Sequence, residues 1–159
     1  MYRIYFMFLL LAMSIHGNAQ SDSGQYKKTT LKDWISSKKF SFHPMSARTL
    51  RGKTIQLTSE YFLKMNQDTL NADLPYYGRS YSAGYPGTDL AIQFGTTQFS
   101  YVGDTTKKGS WEITIIPKNE SKASKIYMTI SKSGYCTMNI SSNSRDQISY
   151  YGTIDAIKN

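Results

Sequence analysis

The chain has 159 residues and a net charge of +8, from 19 lysine and arginine residues against 11 aspartate and glutamate residues. Its length fits a single domain that can bury a hydrophobic core. A single cysteine excludes an internal disulfide, and no basic helix or nucleic-acid motif organises the lysines. We therefore expect no nucleic-acid partner. The scattered lysines are typical of turns and edge strands, and they leave open a weak attraction to anionic glycans or lipid headgroups.

Residues 1–19 have the pattern of a signal peptide. Arg3 supplies the charged start, an apolar run extends from Tyr5 to Ile15, and small residues lead to a cleavage site at Ala19. The run is too short for a membrane span, and no cysteine stands at the cleavage point for lipid attachment. We expect cleavage between Ala19 and Gln20. The mature protein is then expected to be soluble, periplasmic or extracellular, and without a transmembrane segment.

Residues 20–29 are polar and predict a flexible leader, and residues 30–159 predict one β domain that opens with a short helix. Thr30 begins a stretch that resembles a capping box, and apolar residues then follow at helical spacing up to about Lys38. These apolar residues are Leu31, Trp34 and Ile35. We expect this helix to pack on the main body as a plug.

From Phe40 onward the apolar residues alternate, which indicates strands with one buried face. The alternating groups are Phe40 and Phe42; Ile55 and Leu57; Leu90, Ile92 and Phe94; Trp111, Ile113 and Ile115; Ile126, Met128 and Ile130; Cys136, Met138 and Ile140; and Ile148, Tyr150 and Ile154. Cys136 is interpreted as a small buried hydrophobe. Turn-rich connections at 65–68, 103–109 and 132–134 favour hairpins over crossover helices. The pattern predicts an all-β fold, an antiparallel meander of about 8–10 strands that forms a barrel or a two-sheet sandwich.

One segment, residues 74–86, interrupts this alternation with four tyrosines, two glycines and two prolines around one arginine. Pro75 cannot donate to a sheet ladder, which places it at an edge, a bulge or a strand start. If the segment is extended, Tyr77, Arg79 and Tyr81 point to one side and Tyr76 points to the other. A second segment, residues 145–154, repeats the Tyr-Tyr-Gly triplet beside Arg145.

These segments resemble a family of small exported bacterial proteins, common in the Bacteroidetes phylum and known only as domain of unknown function 4251. The resemblance extends from Phe40 to Ile154. Its most specific parts are Leu74-Pro-Tyr-Tyr-Gly-Arg79, the strand ending in Phe94, Ser133-Gly134, and Arg145 with Ile148-Ser-Tyr150 and Gly152. The resemblance implies a signal-bearing, mostly β protein of the cell envelope. It brings no catalytic residue, cofactor or ligand, and the missing cysteine separates this chain from the lipoprotein-like relatives.

The sequence favours a protein that is not an enzyme. His43, the one histidine after the signal peptide, stands beside Pro44 and is typical of a structural or exposed residue. His43 and Cys136 are too few for a zinc site. No serine elbow, phosphate-binding glycine loop or recognisable pair of carboxylates is present. We expect no catalytic residue, no metal and no cofactor.

The leading functional hypothesis is a non-catalytic binding module for a small apolar, glycan or lipid-like ligand. The candidate ligand-binding residues are Tyr77, Arg79, Tyr81, Arg145 and Tyr150, with Tyr151 as the alternative to Tyr150. A ligand site there predicts a cavity of at least about 300 Å3 lined by these tyrosines. The structural alternative is favoured over it: the arginines and tyrosines close a barrel end, or an arginine pairs with Asp146. A protein-interaction or inhibitor module, marked by a flat exposed aromatic patch, is the second functional alternative, and a hydrolase is the least favoured.

Overall fold

The structure, a computed structural model, describes residues 31–81 and 91–157 of the chain. Within these residues, a helix α1 at 31–36 precedes ten β-strands. The strands are β1 (Lys39–Thr49), β2 (Thr54–Gln56), β3 (Phe62–Asn66), β4 (Thr69–Pro75), β5 (Ala91–Thr96), β6 (Phe99–Thr105), β7 (Trp111–Pro117), β8 (Lys125–Ile130), β9 (Tyr135–Ser141) and β10 (Ile148–Asp155). The predicted signal peptide and leader lie outside the described residues, as does the tyrosine segment after Tyr81.

The strands form one antiparallel sheet, which confirms the predicted all-β fold. The order across the sheet is β5-β4-β3-β1-β10-β9-β8-β7-β6, and β2 pairs with β1 outside this path. Strands β5 and β6 stand at the two ends of the order, although only residues 97–98 connect them. Because this connection holds the two ends together, the sheet curves into a nearly closed barrel. The barrel is therefore the form of the predicted meander that the chain adopts.

Strand β1 joins the two halves of the sheet. One of its edges pairs with β10 from Ser41 to Thr49, while the other edge pairs first with β3 and then with β2. The register with β10 shifts between Pro44 and Ser46. Pro44 has no N–H for the ladder, so the bulge at this point does not cost the sheet a hydrogen-bond donor. The bulge marks the place where β1 changes partner.

The inward positions of the strands form one hydrophobic core, as the alternation predicted. Phe40, Phe42, Ile113 and Ile115 are fully buried, as are the alternating residues of β8 and β9 to within 1 %. Cys136 belongs to this core, and burial raises the pKa of its thiol. It is the packed hydrophobe that the sequence indicated.

The helix packs on the barrel as the expected plug. Leu31 and Ile35 are buried in the core. The Tyr101 hydroxyl of β6 donates a 3.4 Å hydrogen bond to the Ile35 carbonyl oxygen, and the Lys38 ammonium lies 5.1 Å from the Tyr101 ring centroid. The helix is thus held against an end strand of the sheet order. Within residues 31–81 and 91–157, no helix has both the length and the apolar character needed to cross a membrane.

Of two turns predicted from composition, the structure contains one as expected and shortens the other. Gly134 takes a φ of 85° in the β8–β9 hairpin, as the predicted turn requires. The predicted loop at 103–109 is shorter, because β6 continues through Gly103 to Thr105, paired with Ile113 to Trp111. Turn-forming residues enter a strand here because the ladder with β7 outweighs their local preference.

Candidate functional site

The structure brings the two tyrosine–arginine segments together at one end of the barrel. The Ser80 and Arg145 backbones form an antiparallel bridge. On either side of it, the Tyr81 N–H donates to the Ser144 carbonyl at 2.7 Å, and the Asp146 N–H donates to the Arg79 carbonyl at 2.9 Å. The chain between β4 and β5 is therefore held against the chain that enters β10.

Tyr76 is the centre of this contact. Its hydroxyl donates to the carbonyl oxygens of Arg79 and Asp146, at 2.7 and 3.0 Å. Its ring centroid lies 5.0 Å from the guanidinium carbon of Arg145. A Cβ at Gly78 would stand 2.2 Å from the Tyr76 hydroxyl, so only glycine lets the chain fold over this ring. The sequence placed Tyr76 on the side away from the candidate site, and the one local sign of its role was the glycine two residues later.

Arg145 and Tyr150 lie beneath the segment and hold its backbone. Arg145 is 4 % exposed and donates from Nη1 to the Ala91 carbonyl oxygen at 3.2 Å. The buried Tyr150 hydroxyl donates to the Pro75 carbonyl oxygen at 2.7 Å, and burial raises its pKa. The two residues therefore tie both strands that flank the tyrosine segment, β4 and β5, to the β10 side of the barrel.

Tyr77, Arg79 and Tyr81, the other three candidate residues, lie at the surface. Tyr77 is 42 % exposed and Tyr81 is 66 % exposed, whereas Tyr76 is 3 % exposed. The predicted opposite orientation of Tyr76 and Tyr77 is thus confirmed. The Tyr81 hydroxyl donates to the Asp146 carboxylate, which raises the pKa of Tyr81. The five candidate residues lie close together, but their environments differ. The exposed side chains of Tyr77, Arg79 and Tyr81 can contact a ligand. The side chains of Arg145 and Tyr150 support the backbone.

An alkaline titration should report the burial of Tyr76. Burial, reinforced by the Asp146 carboxylate, raises the pKa of Tyr76 from 10.0 to about 12. Because this pKa is higher in the folded than in the unfolded chain, the stabilisation is complete below pH 10 and is lost as the pH rises towards 12. We expect the free energy of unfolding, measured in urea at stepped pH, to fall less steeply between pH 10 and about 12 for the Tyr76→Phe variant than for the native protein. Equal slopes for the two proteins would contradict the assignment.

An open groove of about 580 Å3 lies on the outer face of β3, β4 and β5. Outward positions of the three adjacent strands line it, together with Ala72 and Phe94 between them: Phe62 and Lys64, Asn71 and Asp73, and Gln93 and Gly95. None of the five candidate residues lines this groove, so it is a different place from the predicted tyrosine-lined cavity. Sequence reasoning missed it, because its residues come from three strands and have no motif in common.

The groove combines two phenylalanines, Phe62 and Phe94, with several polar groups. The Lys64 ammonium lies 4.4 Å from the Phe62 ring centroid. The Gln93 amide nitrogen donates to the Asp73 carboxylate at 2.9 Å. The Asn71 amide oxygen reaches to within 2.7 Å of where a Cβ at Gly95 would stand, so the absence of a side chain leaves room for that amide. A ligand in the groove would meet an apolar face, a cation and hydrogen-bonding groups together.

Tyr77 lies close to the groove along the chain. Strand β4 carries Asn71 and Asp73 of the groove and ends at Pro75, two residues before Tyr77. Partial burial and, to a smaller extent, the nearby Tyr61, which directly precedes Phe62, raise the pKa of Tyr77. The tyrosine segment therefore begins where the central strand of the groove ends.

Two further observations concern other chemistry. Among residues 31–81 and 91–157, no three histidine, cysteine, aspartate or glutamate side chains are grouped closely enough to hold a metal ion. His43 is exposed on β1.

On β9 and β10, the exposed rings of Tyr135 and Tyr151 lie nearly parallel, at 4° and with centroids 5.8 Å apart. This pair is an exposed aromatic patch of the kind that the second functional alternative predicted.

These features define a small antiparallel β protein with a nearly closed barrel, a helical plug and a tyrosine-sealed end. The model of the DUF4251 family, a domain of unknown function, matches residues 22–154, so the chain belongs to that family. A crystal structure of a DUF4251 family protein from Bacteroides eggerthii DSM 20697 is similar, with a TM-score of 0.61 and 16 % identity over 82 % of this chain and 88 % of that one. At this identity the likeness shows the fold alone. No curated protein matches the sequence.

Proposed function

We propose that this protein is a non-catalytic binding module, exported to the periplasm or the cell exterior, whose ligand is a glycan. The observation that carries the proposal is the groove on β3–β5, where an aromatic ring stands beside amide, carboxylate and ammonium groups. A sugar presents an apolar ring face together with hydroxyls that both donate and accept hydrogen bonds. Phe62 suits the ring face, and Asn71, Asp73 and Gln93 suit the hydroxyls.

The shape of the groove favours a glycan over a purely apolar or lipid-like ligand. Sites for apolar ligands enclose most of the ligand in mainly apolar walls. Here the groove is open, and four of its outward side chains are polar or charged: Lys64, Asn71, Asp73 and Gln93. An open polar surface stays favourably hydrated without a ligand. A hydroxyl-rich ligand can displace that water and replace each of its hydrogen bonds.

Lys64 and the net charge of the chain favour an acidic sugar, since the Asp73 carboxylate of the same groove already accepts a hydrogen bond from Gln93. Lys64 rests over the Phe62 ring, a half-buried contact worth about 1 kcal/mol. A ligand carboxylate can therefore draw Lys64 away and leave the ring for a sugar face, with a charge-assisted hydrogen bond in return. The net charge of +8 adds a general attraction for anionic chains.

The tyrosine segment contributes contacts beyond the end of the groove. Tyr77, Arg79 and Tyr81 are exposed and can meet further units of the same glycan. Arg145 and Tyr150 act on that binding through the backbone that they hold, at Ala91 and Pro75. Three of the candidate residues predicted from the sequence therefore contact the ligand, and the other two position the backbone.

Calorimetric titration with an acidic trisaccharide tests the proposal. We expect trigalacturonate, or a disaccharide containing N-acetylmuramic acid, to bind, and the neutral methyl ester of trigalacturonate to bind at least tenfold more weakly. Phe62→Ala and Lys64→Gln should each weaken binding about tenfold, which corresponds to about 1.4 kcal/mol. Val102→Ala, at a residue 58 % exposed on β6, serves as the matched control and should bind as the native chain does. Equal affinity for acid and ester, no binding of either acidic probe, or full binding by Phe62→Ala would contradict the proposal.

A further inference from the structure

We propose a second binding surface for a neutral polysaccharide chain, formed by outward residues of β9 and β10. We call it the tyrosine–hydroxyl face, and it consists of Tyr135, Thr137, Asn139, Ser149, Tyr151 and Thr153. It shares no residue with the groove. The sequence pointed to Tyr151 as the alternative to Tyr150 beside Arg145, and it did not point to Tyr135.

The sheet register builds this face from two diagonal tyrosines and their cross-strand partners. Tyr151 pairs with Thr137, and Thr153 pairs with Tyr135. The two rings therefore approach diagonally across the ladder, at 5.8 Å between centroids and 4° between planes. Each tyrosine remains 46 % exposed. The result is a pair of aligned aromatic surfaces, fixed on two interior strands of the sheet, that water still reaches.

Hydroxyl and amide groups surround the two rings. Ser149 Oγ donates to Asn139 Oδ1 at 2.6 Å, which orients the Asn139 amide nitrogen away from Ser149. Thr137 and Thr153 add hydroxyls on either side of the tyrosine diagonal. Hydroxyls both donate and accept, and an amide nitrogen carries two N–H groups, so the surface can satisfy sugar hydroxyls in more than one orientation.

The face is electrically neutral in a strongly basic chain. Strands β9 and β10 together hold one charged residue, Asp155, at the very end of β10. The neighbouring positions in register are also uncharged at the centre, with Thr129 and Tyr127 on β8. On the other side, exposed Arg48 of β1 pairs with Ser149, so one cation stands at the Ser149 edge of the face. The six residues of the face carry no charge themselves, which suits a ligand without charge.

A polysaccharide suits the face better than a protein partner does. Protein interfaces centre on apolar or arginine anchors seated in pockets, with polar groups at the rim. Here the residues paired with the tyrosines carry hydroxyls: Thr137 of β9 and Ser46 of β1 beside Tyr151, and Thr153 beside Tyr135. The exposed Met45 lies next to Ser46, at the β1 bulge. An extended neutral glycan can lay its sugar faces on the rings and direct its hydroxyls to those neighbours.

Affinity electrophoresis in native gels containing laminarin, dextran or mannan tests this surface. We expect at least one of these neutral polysaccharides to retard the native protein. Tyr135→Ala and Tyr151→Ala should each weaken the apparent affinity about tenfold, while Tyr135→Phe keeps the ring and most of the retardation. Ile116→Ala is the matched control, because it removes a similarly exposed large side chain from β7, outside both proposed binding surfaces. Thermal unfolding of each variant confirms that a loss of retardation is not a loss of fold.

The possible outcomes separate this inference from the proposed function. Phe62→Ala should leave the retardation intact, and Tyr151→Ala should leave trigalacturonate binding intact. Absence of retardation by all three polysaccharides, or equal retardation of the double alanine variant, overturns the inference. Capture of a protein partner that depends on Tyr135 and Tyr151, without any polysaccharide retardation, also overturns it and makes the face a protein-interaction surface.

Discussion

Gly152→Ala is expected to destabilise the protein by about 3 kcal/mol, the upper part of the usual range for overpacking. Gly152 on β10 pairs with Pro44 on β1, at the bulge. A Cβ there would stand 2.0 Å from the His43 carbonyl oxygen and 2.8 Å from the Pro44 Cα. Both are backbone atoms, so relief requires the separation of β1 from β10. Because β1 links the two halves of the sheet, this separation disturbs the whole barrel.

Gly95→Ala is the matched control, since it makes the same change within another strand. The new Cβ would stand 2.7 Å from Asn71 Oδ1, which is the end of a side chain that can rotate away. We expect a change within about 0.5 kcal/mol, as for most surface substitutions. Urea unfolding followed by the fluorescence of Trp34 and the buried Trp111 measures both variants. Similar stabilities for the two variants would show that β1 and β10 do not approach as closely as described.

Arg145→Ala should cost about 3 kcal/mol of unfolding free energy. The substitution removes the guanidinium that packs on the Tyr76 ring and leaves the Ala91 carbonyl without its donor. It also leaves a cavity beneath the tyrosine segment. Arg79→Ala is the control, because Arg79 belongs to the same segment and carries the same charge but is exposed. We expect that variant to change stability by no more than about 0.5 kcal/mol.

The same pair of variants separates a ligand contact from a supporting role. If Arg145 supports the backbone, trigalacturonate binding should weaken only together with stability, whereas Arg79→Ala should weaken binding at unchanged stability. Arg145→Lys keeps the charge without the planar group that stacks on an aromatic ring, so it should recover little of the lost stability. A stable Arg145→Ala protein with lost binding would instead make Arg145 a direct ligand contact.

The sequence by itself determined the local elements of this protein. The change of apolar period at Phe40 separates the helix from the strands, and the alternation identifies the core positions, including Cys136 and Tyr150. These features are readable because the burial of one face of a strand imposes a period of two on neighbouring residues. The resemblance carried by the tyrosine segment identified the family, and the matching family model confirmed it.

Only the tertiary structure decided which surfaces the chain assembles. The Tyr76 hydroxyl meets the Asp146 carbonyl 70 residues away, the groove draws on β3, β4 and β5, and the Tyr135–Tyr151 pair depends on the register of β9 with β10. A one-residue slip in any of these registers would turn the side chains to the other face of the sheet. Period and composition identify strands and buried faces, but the pairing of distant strands sets which outward residues become neighbours. The buried support of the tyrosine segment was therefore foreseeable as an alternative, whereas the groove and the tyrosine–hydroxyl face exist only in the folded barrel.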